Sequence, residues 1–179
     1  MADARSGVEI AQLVAEHHQV VYRYAYRLTG SVQDAEDLTQ QVFLTAQQKL
    51  GQLRNINAAK SWLFAILRNS FVKGRQRRRP VLATDVAMDV GSVPAGSLGG
   101  DVDQERLQDA LNRLPDDFRQ VVLMFYFEEC SYKEIAERLE MPIGTVMSRL
   151  SRAKGHLRSI LFESEQNASE RPDMATERG

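Results

Sequence analysis

The sequence predicts an all-α protein of two small helical domains joined by a flexible linker. Three observations lead to this fold class. Apolar residues recur every three or four positions within residues 8–80 and again within residues 104–162, which is the spacing of one face of an α-helix. Glycine and proline cluster between these two segments. Alternation of apolar and polar residues, which would indicate strands, is nowhere long.

The N-terminal domain, residues 8–80, is predicted to contain three helices. The apolar positions of the first run from residue 10 to residue 28, and Gly30 is placed to end it. The second is predicted to begin at Asp34, whose negative charge suits a helix N-terminus. A polar loop then leads to a third helix near residues 58–74.

The C-terminal domain, residues 104–162, is predicted to contain four helices, and Pro115 stops the first of them. Ser131 and Glu134 match a capping box, in which the serine accepts from a free backbone N–H and the glutamate reaches back. This box opens a short helix. After a break at residues 140–142, the last helix follows.

The segment between the domains, residues 81–103, holds four aspartates, four glycines and a proline, with no aromatic residue. Such a composition buries too little apolar surface to order itself, so we predict a flexible acidic linker. The polar segment 163–179 is predicted to be a disordered tail.

Composition excludes several classes of protein. No apolar run approaches the ~20 residues that span a bilayer, and the charged N-terminus does not resemble a signal peptide. The single cysteine, Cys130, allows no internal disulfide and indicates a reducing cytoplasm. Zinc-ligand spacing, a nucleophile motif and a phosphate-binding glycine loop are all missing from the sequence. We therefore expect no enzymatic activity, no metal and no cofactor.

The net charge of −1 conceals an uneven distribution. Residues 1–80 carry a net charge of +6, whereas residues 81–103 carry −4 and residues 163–179 carry −3. Residues 104–162 are neutral. A basic block beside acidic segments favours a nucleic-acid surface over a uniformly solvated exterior.

The last two predicted helices, residues 131–139 and 143–158, have the lengths and the short turn of a helix-turn-helix. The second carries four basic residues and no acidic one, which suits a major groove lined by phosphates. The alternative is a helical hairpin with a solvated basic face. The residues predicted to contact duplex DNA are Lys133, Gly144, Thr145, Met147, Ser148, Arg149, Arg152 and Lys154.

A second basic stretch, residues 60–79, holds seven basic residues, no acidic one and interleaved aromatic residues. Basic grooves with stacking platforms suit single-stranded nucleic acid. The alternative is that the aromatic residues belong to the core, which we favour for Trp62 and Phe71. A third segment, residues 34–41, opens with three acidic residues. It is either an ordinary solvated helix start or a docking face for a basic partner.

In this order, the segments resemble the sigma-70 superfamily, and specifically its extracytoplasmic-function branch. Residues 34–43, Asp-Ala-Glu-Asp-Leu-Thr-Gln-Gln-Val-Phe, are similar to that family's polymerase-docking helix. Residues 61–69, Ser-Trp-Leu-Phe-Ala-Ile-Leu-Arg-Asn, are similar to its helix that reads and melts the −10 element. Residues 114–119, 131–136 and 144–153 are similar to its −35 reading domain.

The resemblance implies an N-terminal sigma region 2 bundle and a C-terminal sigma region 4 helix-turn-helix. It implies as partners core RNA polymerase, through its clamp coiled coil and flap, promoter DNA, and an anti-sigma protein. The implied polymerase contacts are Asp34, Asp37, Gln40, Gln41 and Phe43, although family members often have glutamate where Gln41 stands. The implied −10 contacts are Arg54, Asn55, Asn57, Lys60, Ser61, Arg68, Asn69, Arg75, Arg77 and Arg78.

Two other functions remain open from the sequence. A stand-alone helix-turn-helix regulator would account for residues 104–162 but would leave the N-terminal segments unused. A protein-binding helical adaptor would make no use of Arg149 and Arg152. Binding to duplex DNA without polymerase distinguishes the first from a sigma factor, and substitution of these two arginines distinguishes the second.

Overall fold

The computed structural model describes residues 9–78 and 104–169, with side chains described within 9–75 and 104–161. Every regular element in these ranges is a helix, which confirms the all-α class. The predicted linker lies outside the described residues. The described residues form two compact units, and Leu123–Cys130 cluster with the first unit instead of with the rest of the predicted C-terminal domain.

The first unit contains three long helices, α1 (Ile10–Thr29), α2 (Val32–Gln48) and α3 (Ala59–Arg78). Gly30 ends α1 as predicted. Its φ of 70° is a left-handed conformation that glycine adopts without steric cost, and its N–H donates to the Tyr26 carbonyl. The start predicted for α2 is wrong by two residues, because the N-cap is Ser31, whose Oγ accepts from the Asp34 N–H.

The three helices of the first unit share one apolar core. Between α2 and α3, the predicted polar loop contains two short 3-10 turns, Leu50–Gln52 and Ile56–Ala58. The helix α3 continues four residues beyond its predicted end. The fully buried core residues are Leu13, Val21, Tyr24, Ala25, Val42, Ala46, Leu63 and Leu67.

The second unit is built from α4 (Gln104–Arg113), the first part of α5 (Asp116–Tyr126), α6 (Tyr132–Arg138) and α7 (Ile143–Ser169). The capping box at the start of α6 is confirmed, since the Ser131 Oγ accepts from the Glu134 N–H and the Glu134 carboxylate accepts from the Ser131 N–H. The core of this unit is formed by Ala110, Leu111, Leu114, Val121, Ile135, Val146, Leu150, Ala153 and Leu157.

The helix α7 is longer than predicted. Residues 163–169 were expected to begin a disordered tail, and this prediction is wrong because α7 continues through Ser169. The extension contains no glycine or proline, and adding residues to an existing helix is far easier than nucleating a new one. Residues 170–179 of the predicted tail lie outside the described residues.

The end of α4 is held by Arg119, which lies on α5 and is 7% exposed. Its Nε donates to the Leu111 carbonyl at 2.8 Å, and its Nη2 donates to the carbonyls of Asn112 at 3.2 Å and Leu114 at 3.0 Å. The Asp116 carboxylate stands 3.4 Å from the same nitrogen. One guanidinium therefore satisfies three carbonyls around the end of α4 and joins α4 to α5.

Candidate nucleic-acid and polymerase surfaces

The helices α6 and α7 separate an exposed polar face from a buried apolar one. Residues 139–142 connect them, and Ile135 and Val146 are fully buried beneath the turn. On the outer side of the first turns of α7, Met147 is 51% exposed. A Cβ added to Gly144 would have open space around it, so packing within the fold does not require glycine there. The exposed residues of the predicted DNA-contact set are Lys133, Gly144, Met147, Ser148 and Arg152.

Arg149 has an acidic neighbour that the run of basic residues in α7 did not indicate. Its Nη2 lies 3.7 Å from the Asp117 carboxylate in the first turn of α5, and its side chain is 26% exposed. An exposed pair of this kind adds little to stability. It places the Arg149 guanidinium beside the first turn of α5.

Polar residues predicted to meet the −10 element surround the start of α3. Arg54, Asn55 and Asn57 lie exposed on the connection before it, where the Asn55 Oδ1 accepts from the Asn57 N–H at 2.9 Å. Lys60 is exposed on the first turn, with its Nζ 5.7 Å from the centre of the Phe64 ring. Ser61 and Asn69 are also exposed.

The far end of α3 carries the rest of the predicted basic cluster. The Arg75 guanidinium lies 5.9 Å from the centre of the Phe71 ring, a cation–π distance. Arg77 and Arg78 occupy the last turn of α3, and their side chains lie outside the described set. Phe64, one of the interleaved aromatic residues, is 1% exposed and belongs to the core, whereas Trp62 and Phe71 are partly buried.

The predicted docking helix presents one continuous exposed stripe. Asp37, Gln40, Gln41 and Leu44 follow one another at helical spacing on α2, and all four are exposed. Leu44 is 55% exposed, which is unusual for a leucine beside a packed core. Next to this stripe, α1 and α2 enclose a groove of about 710 Å³.

Within the described residues, no helix is long and apolar enough to cross a membrane. The same part of the chain contains no group of three or more histidine, cysteine, aspartate or glutamate residues placed to hold a metal ion.

Two family models match the chain, Sigma-70 region 2 over residues 13–80 and Sigma-70, region 4 over residues 104–157. Together they cover more than half of its length. The chain belongs to the sigma-70 family. It is a sigma factor of the extracytoplasmic-function type, a subunit that directs RNA polymerase to promoters.

Relatives within the sigma-70 family agree with this assignment. ECF RNA polymerase sigma factor SigL of Mycobacterium tuberculosis is 32% identical over 166 residues, which cover 90% of this chain and 94% of the relative. ECF RNA polymerase sigma factor SigE of Mycolicibacterium smegmatis is 36% identical over 161 residues, covering 84% of this chain and 60% of the relative. Among solved structures, the sigma factor RpoE of Bartonella quintana, in complex with the anti-sigma factor NepR, is 27% identical with a TM-score of 0.64. The match covers 85% of this chain and 96% of RpoE.

One residue implied by the sigma-70 resemblance, Phe43, is not exposed. Its ring is buried and stacks on His18 of α1, with the ring centres 6.0 Å apart and the planes at 14°. Phe43 lines the groove between α1 and α2 together with Gln40 and Leu44 of the stripe. Its contact with polymerase stays a prediction. Asp34 is partly buried at the start of α2.

Arg68 is a second sigma-70 site residue placed differently from its prediction. It was expected to hold DNA phosphates, yet it is 6% exposed and paired with the Glu128 carboxylate. Glu128 also accepts from the Tyr24 hydroxyl. In the described conformation the guanidinium is turned into the first unit and its charge is matched, so contact between Arg68 and DNA stays a prediction.

Burial and the charge of Glu128 together shift the pKa values of Tyr24 and Arg68. Burial, followed by the neighbouring Glu128 carboxylate, raises the pKa of Tyr24 well above its usual value. Burial lowers the pKa of Arg68, but the attraction of Glu128 more than offsets it and the net pKa is raised. Tyr24 therefore stays a hydrogen-bond donor and Arg68 stays charged across the physiological pH range.

Proposed function

We propose that this sigma factor engages polymerase and promoter through three separate surfaces. The exposed stripe of α2 binds the clamp coiled coil of core RNA polymerase. The connection before α3 and the basic residues of α3 hold the melted −10 element. The exposed face of α7 enters the major groove at the −35 element. The proposed activity is binding and positioning in the bacterial cytoplasm, with no catalytic step of its own.

The observation that carries this proposal is the separation of faces on α7. Val146, Leu150 and Ala153 are buried on one side, while Met147, Ser148 and Arg152 are exposed on the other. A helix that only completed a hairpin would not need a basic outer face with an open glycine at its start. Basic side chains neutralise phosphates, and the open backbone near Gly144 allows close approach to base edges.

A second part of the proposal concerns inhibition. The solved relative RpoE is bound by the anti-sigma factor NepR. We infer that this chain is also held inactive by an anti-sigma protein, which covers the α2 stripe and the exposed face of α7. A single inhibitor that covered both surfaces would block polymerase docking and DNA reading together.

The decisive experiment adds the purified chain to core polymerase and maps protected and opened promoter DNA. We expect protection around −35 and reactive unpaired bases around −10 only when the chain and core polymerase are both present. Protection of duplex promoter by the chain alone, unchanged when polymerase is added, would instead identify a stand-alone regulator. No protection under either condition would overturn the proposal.

The docking stripe gives a separate prediction. Replacing Leu44 with aspartate is expected to lower the affinity for core polymerase about tenfold, which is about 1.4 kcal/mol, because an unpaired charge replaces apolar contact in the interface. Fluorescence anisotropy of the labelled chain titrated with core polymerase measures this affinity.

Val32 offers a matched control, because it is an equally exposed apolar residue of α2, at 56%. It lies about a third of a turn around the helix from Leu44, outside the stripe. The Val32→Asp variant should bind polymerase like the parent chain. Equal losses in the two variants would show that a general charge effect, and not the stripe, governs binding.

A further inference from the structure

The most distinctive buried contact of the first unit involves a segment distant in sequence from its three helices. The ring of Phe127 stacks on Tyr24, with centres 5.2 Å apart and planes at 25°, and lies 5.9 Å from the ring of Phe64. The next residue, Glu128, presents its carboxylate to the Tyr24 hydroxyl and, through both oxygens, to the Nη1 of Arg68. Two consecutive residues, the aromatic Phe127 and the acidic Glu128, thus pack against the helices of the first unit.

The ion pair is enclosed. The side chain of Arg68 is 7% exposed and that of Glu128 is 2% exposed. The cost of removing two charges from water offsets most of the free energy of their attraction, so such a pair adds little net stability. Removing one partner is strongly destabilising, because it leaves the other charge buried and unpaired. A buried guanidinium of this kind needs an anion. A carboxylate with two oxygens and a phosphate satisfy it with the same geometry.

The backbone around Glu128 is shaped to deliver the carboxylate. The N–H groups of Phe127 and Glu128 both donate to the Leu123 carbonyl, at 2.8 and 3.2 Å, and the Cys130 N–H donates to the Met124 carbonyl at 3.0 Å. Between them, Glu129 has a φ of 58°, a left-handed conformation that is strained for a residue with a side chain. The turn that positions the Glu128 carboxylate is thus fixed by three backbone hydrogen bonds.

The ion pair between Arg68 and Glu128 involves the helix that is proposed to bind melted DNA, α3. The next residue, Asn69, is exposed, and Lys60 and Lys73 are exposed on the same helix. Among the predicted −10 contacts whose side chains are described, Arg68 is buried against an acidic partner. The ion pair with Glu128 neutralises Arg68, so the surface that the proposed function assigns to melted DNA has one positive charge fewer.

We propose that residues 127–130 form an intramolecular latch in which Glu128 occupies the Arg68 guanidinium in place of a DNA phosphate. The inference rests on the proposed role of α3. With the latch closed, Arg68 is neutralised and unavailable. When single-stranded DNA binds, a phosphate takes the place of the Glu128 carboxylate, and the segment leaves its position against Tyr24 and Phe64. Exchange of one anion for another avoids leaving the guanidinium unpaired.

The first test measures binding of the full chain to a fluorescent single-stranded deoxyoligonucleotide. The E128Q variant keeps the shape of the side chain but removes its charge, so we expect it to bind about five- to tenfold more tightly at low salt. Because a phosphate reaches Arg68 in both complexes, the slope of log affinity against log salt should stay close to that of the parent chain. Adding R68A to E128Q should abolish the gain in affinity and lower the slope by about 0.7, since one fewer phosphate is neutralised.

Glu129 provides the matched control, since it is the adjacent acid and is exposed. The E129Q variant makes the same change in net charge without touching Arg68, and its affinity should stay within about twofold of the parent chain. Binding by the parent chain and E128Q with equal affinity would overturn the latch and leave the proposed function intact. Absence of binding by both, also when the chain is assembled with core polymerase, would contradict the proposed function of α3 itself.

A second measurement needs no substitution. Cys130 is the single cysteine of the chain and is 4% exposed within the latch segment. The rate at which a thiol reagent labels it therefore reports release of the segment. We expect saturating single-stranded DNA to accelerate labelling of the parent chain, because the two events are linked reciprocally. Labelling that DNA leaves unchanged, although DNA is bound, would overturn the latch.

Discussion

Replacing Arg149 and Arg152 together with alanine is expected to reduce transcription from a promoter with a −35 element about a hundredfold. A good side-chain contact to a base or phosphate at this groove contributes about 1–3 kcal/mol, and two of them account for about 2.7 kcal/mol. In vitro transcription at subsaturating sigma concentration measures the effect. The same variant should lose little on a template whose −35 element has been scrambled, since that contact is already absent.

The helix α4 supplies a control with the same loss of charge. Replacing Arg106 and Arg113, which lie on α4 and outside the proposed DNA face, should change transcription less than about threefold, because it alters only weak long-range attraction. Transcription at the parent level from the Arg149 and Arg152 double variant would leave the adaptor interpretation standing and defeat the proposed role of α7.

The Arg119→Ala variant is expected to lose about 3 kcal/mol or more of the stability of the second unit. The buried carbonyls of Leu111 and Leu114 and the partly buried carbonyl of Asn112 lose their donor at once, and each unsatisfied buried group costs about 1–3 kcal/mol. Lysine should not restore the loss, because its single ammonium cannot reproduce the planar fork of the guanidinium. Chemical denaturation followed by circular dichroism measures the free energy of unfolding.

Arg138 is the comparison for this change. It lies on α6 with its side chain 34% exposed, and its Nη2 is 3.8 Å from the Glu134 carboxylate. Its replacement with alanine should cost less than about 0.5 kcal/mol, as exposed helical ion pairs do. If Arg119→Ala proved equally mild, water must reach the end of α4, and the arginine would not be the residue that holds α4 to α5.

Local patterns in the sequence were sufficient for most of the fold. The period of the apolar residues located the long helices, and Gly30 and the Ser131–Glu134 box fixed ends because their chemistry depends on neighbours within a few residues. The start of α2 was predicted two residues too late, although it also depends on neighbouring residues. The negative charge of Asp34 is favourable near the N-terminus of a helix. The helix nevertheless begins earlier, because the Ser31 side chain is the N-cap and accepts a hydrogen bond from the Asp34 N–H.

The candidate site was less accessible to sequence reasoning, because the partners of its residues are far apart along the chain. Arg68 lies in a run of basic residues with no acid, and its partner Glu128 is 60 residues away. Asp117, which pairs with Arg149, stands on another helix. Phe43 is the last residue of the docking motif, yet its side chain is buried, because Phe43 lies beside the exposed stripe on α2 and not in it. No periodicity within one helix carries this information.

The length of α7 has an electrostatic consequence. At 1.5 Å per residue, the 27 residues of α7 make a straight helix about 40 Å long. Screening at physiological ionic strength acts over about 8 Å, so charge at one end of such a helix has almost no effect on phosphates at the other. The helix acts as a spacer, and the charge of the sequence that follows it can vary without weakening the proposed contact between its first turns and DNA.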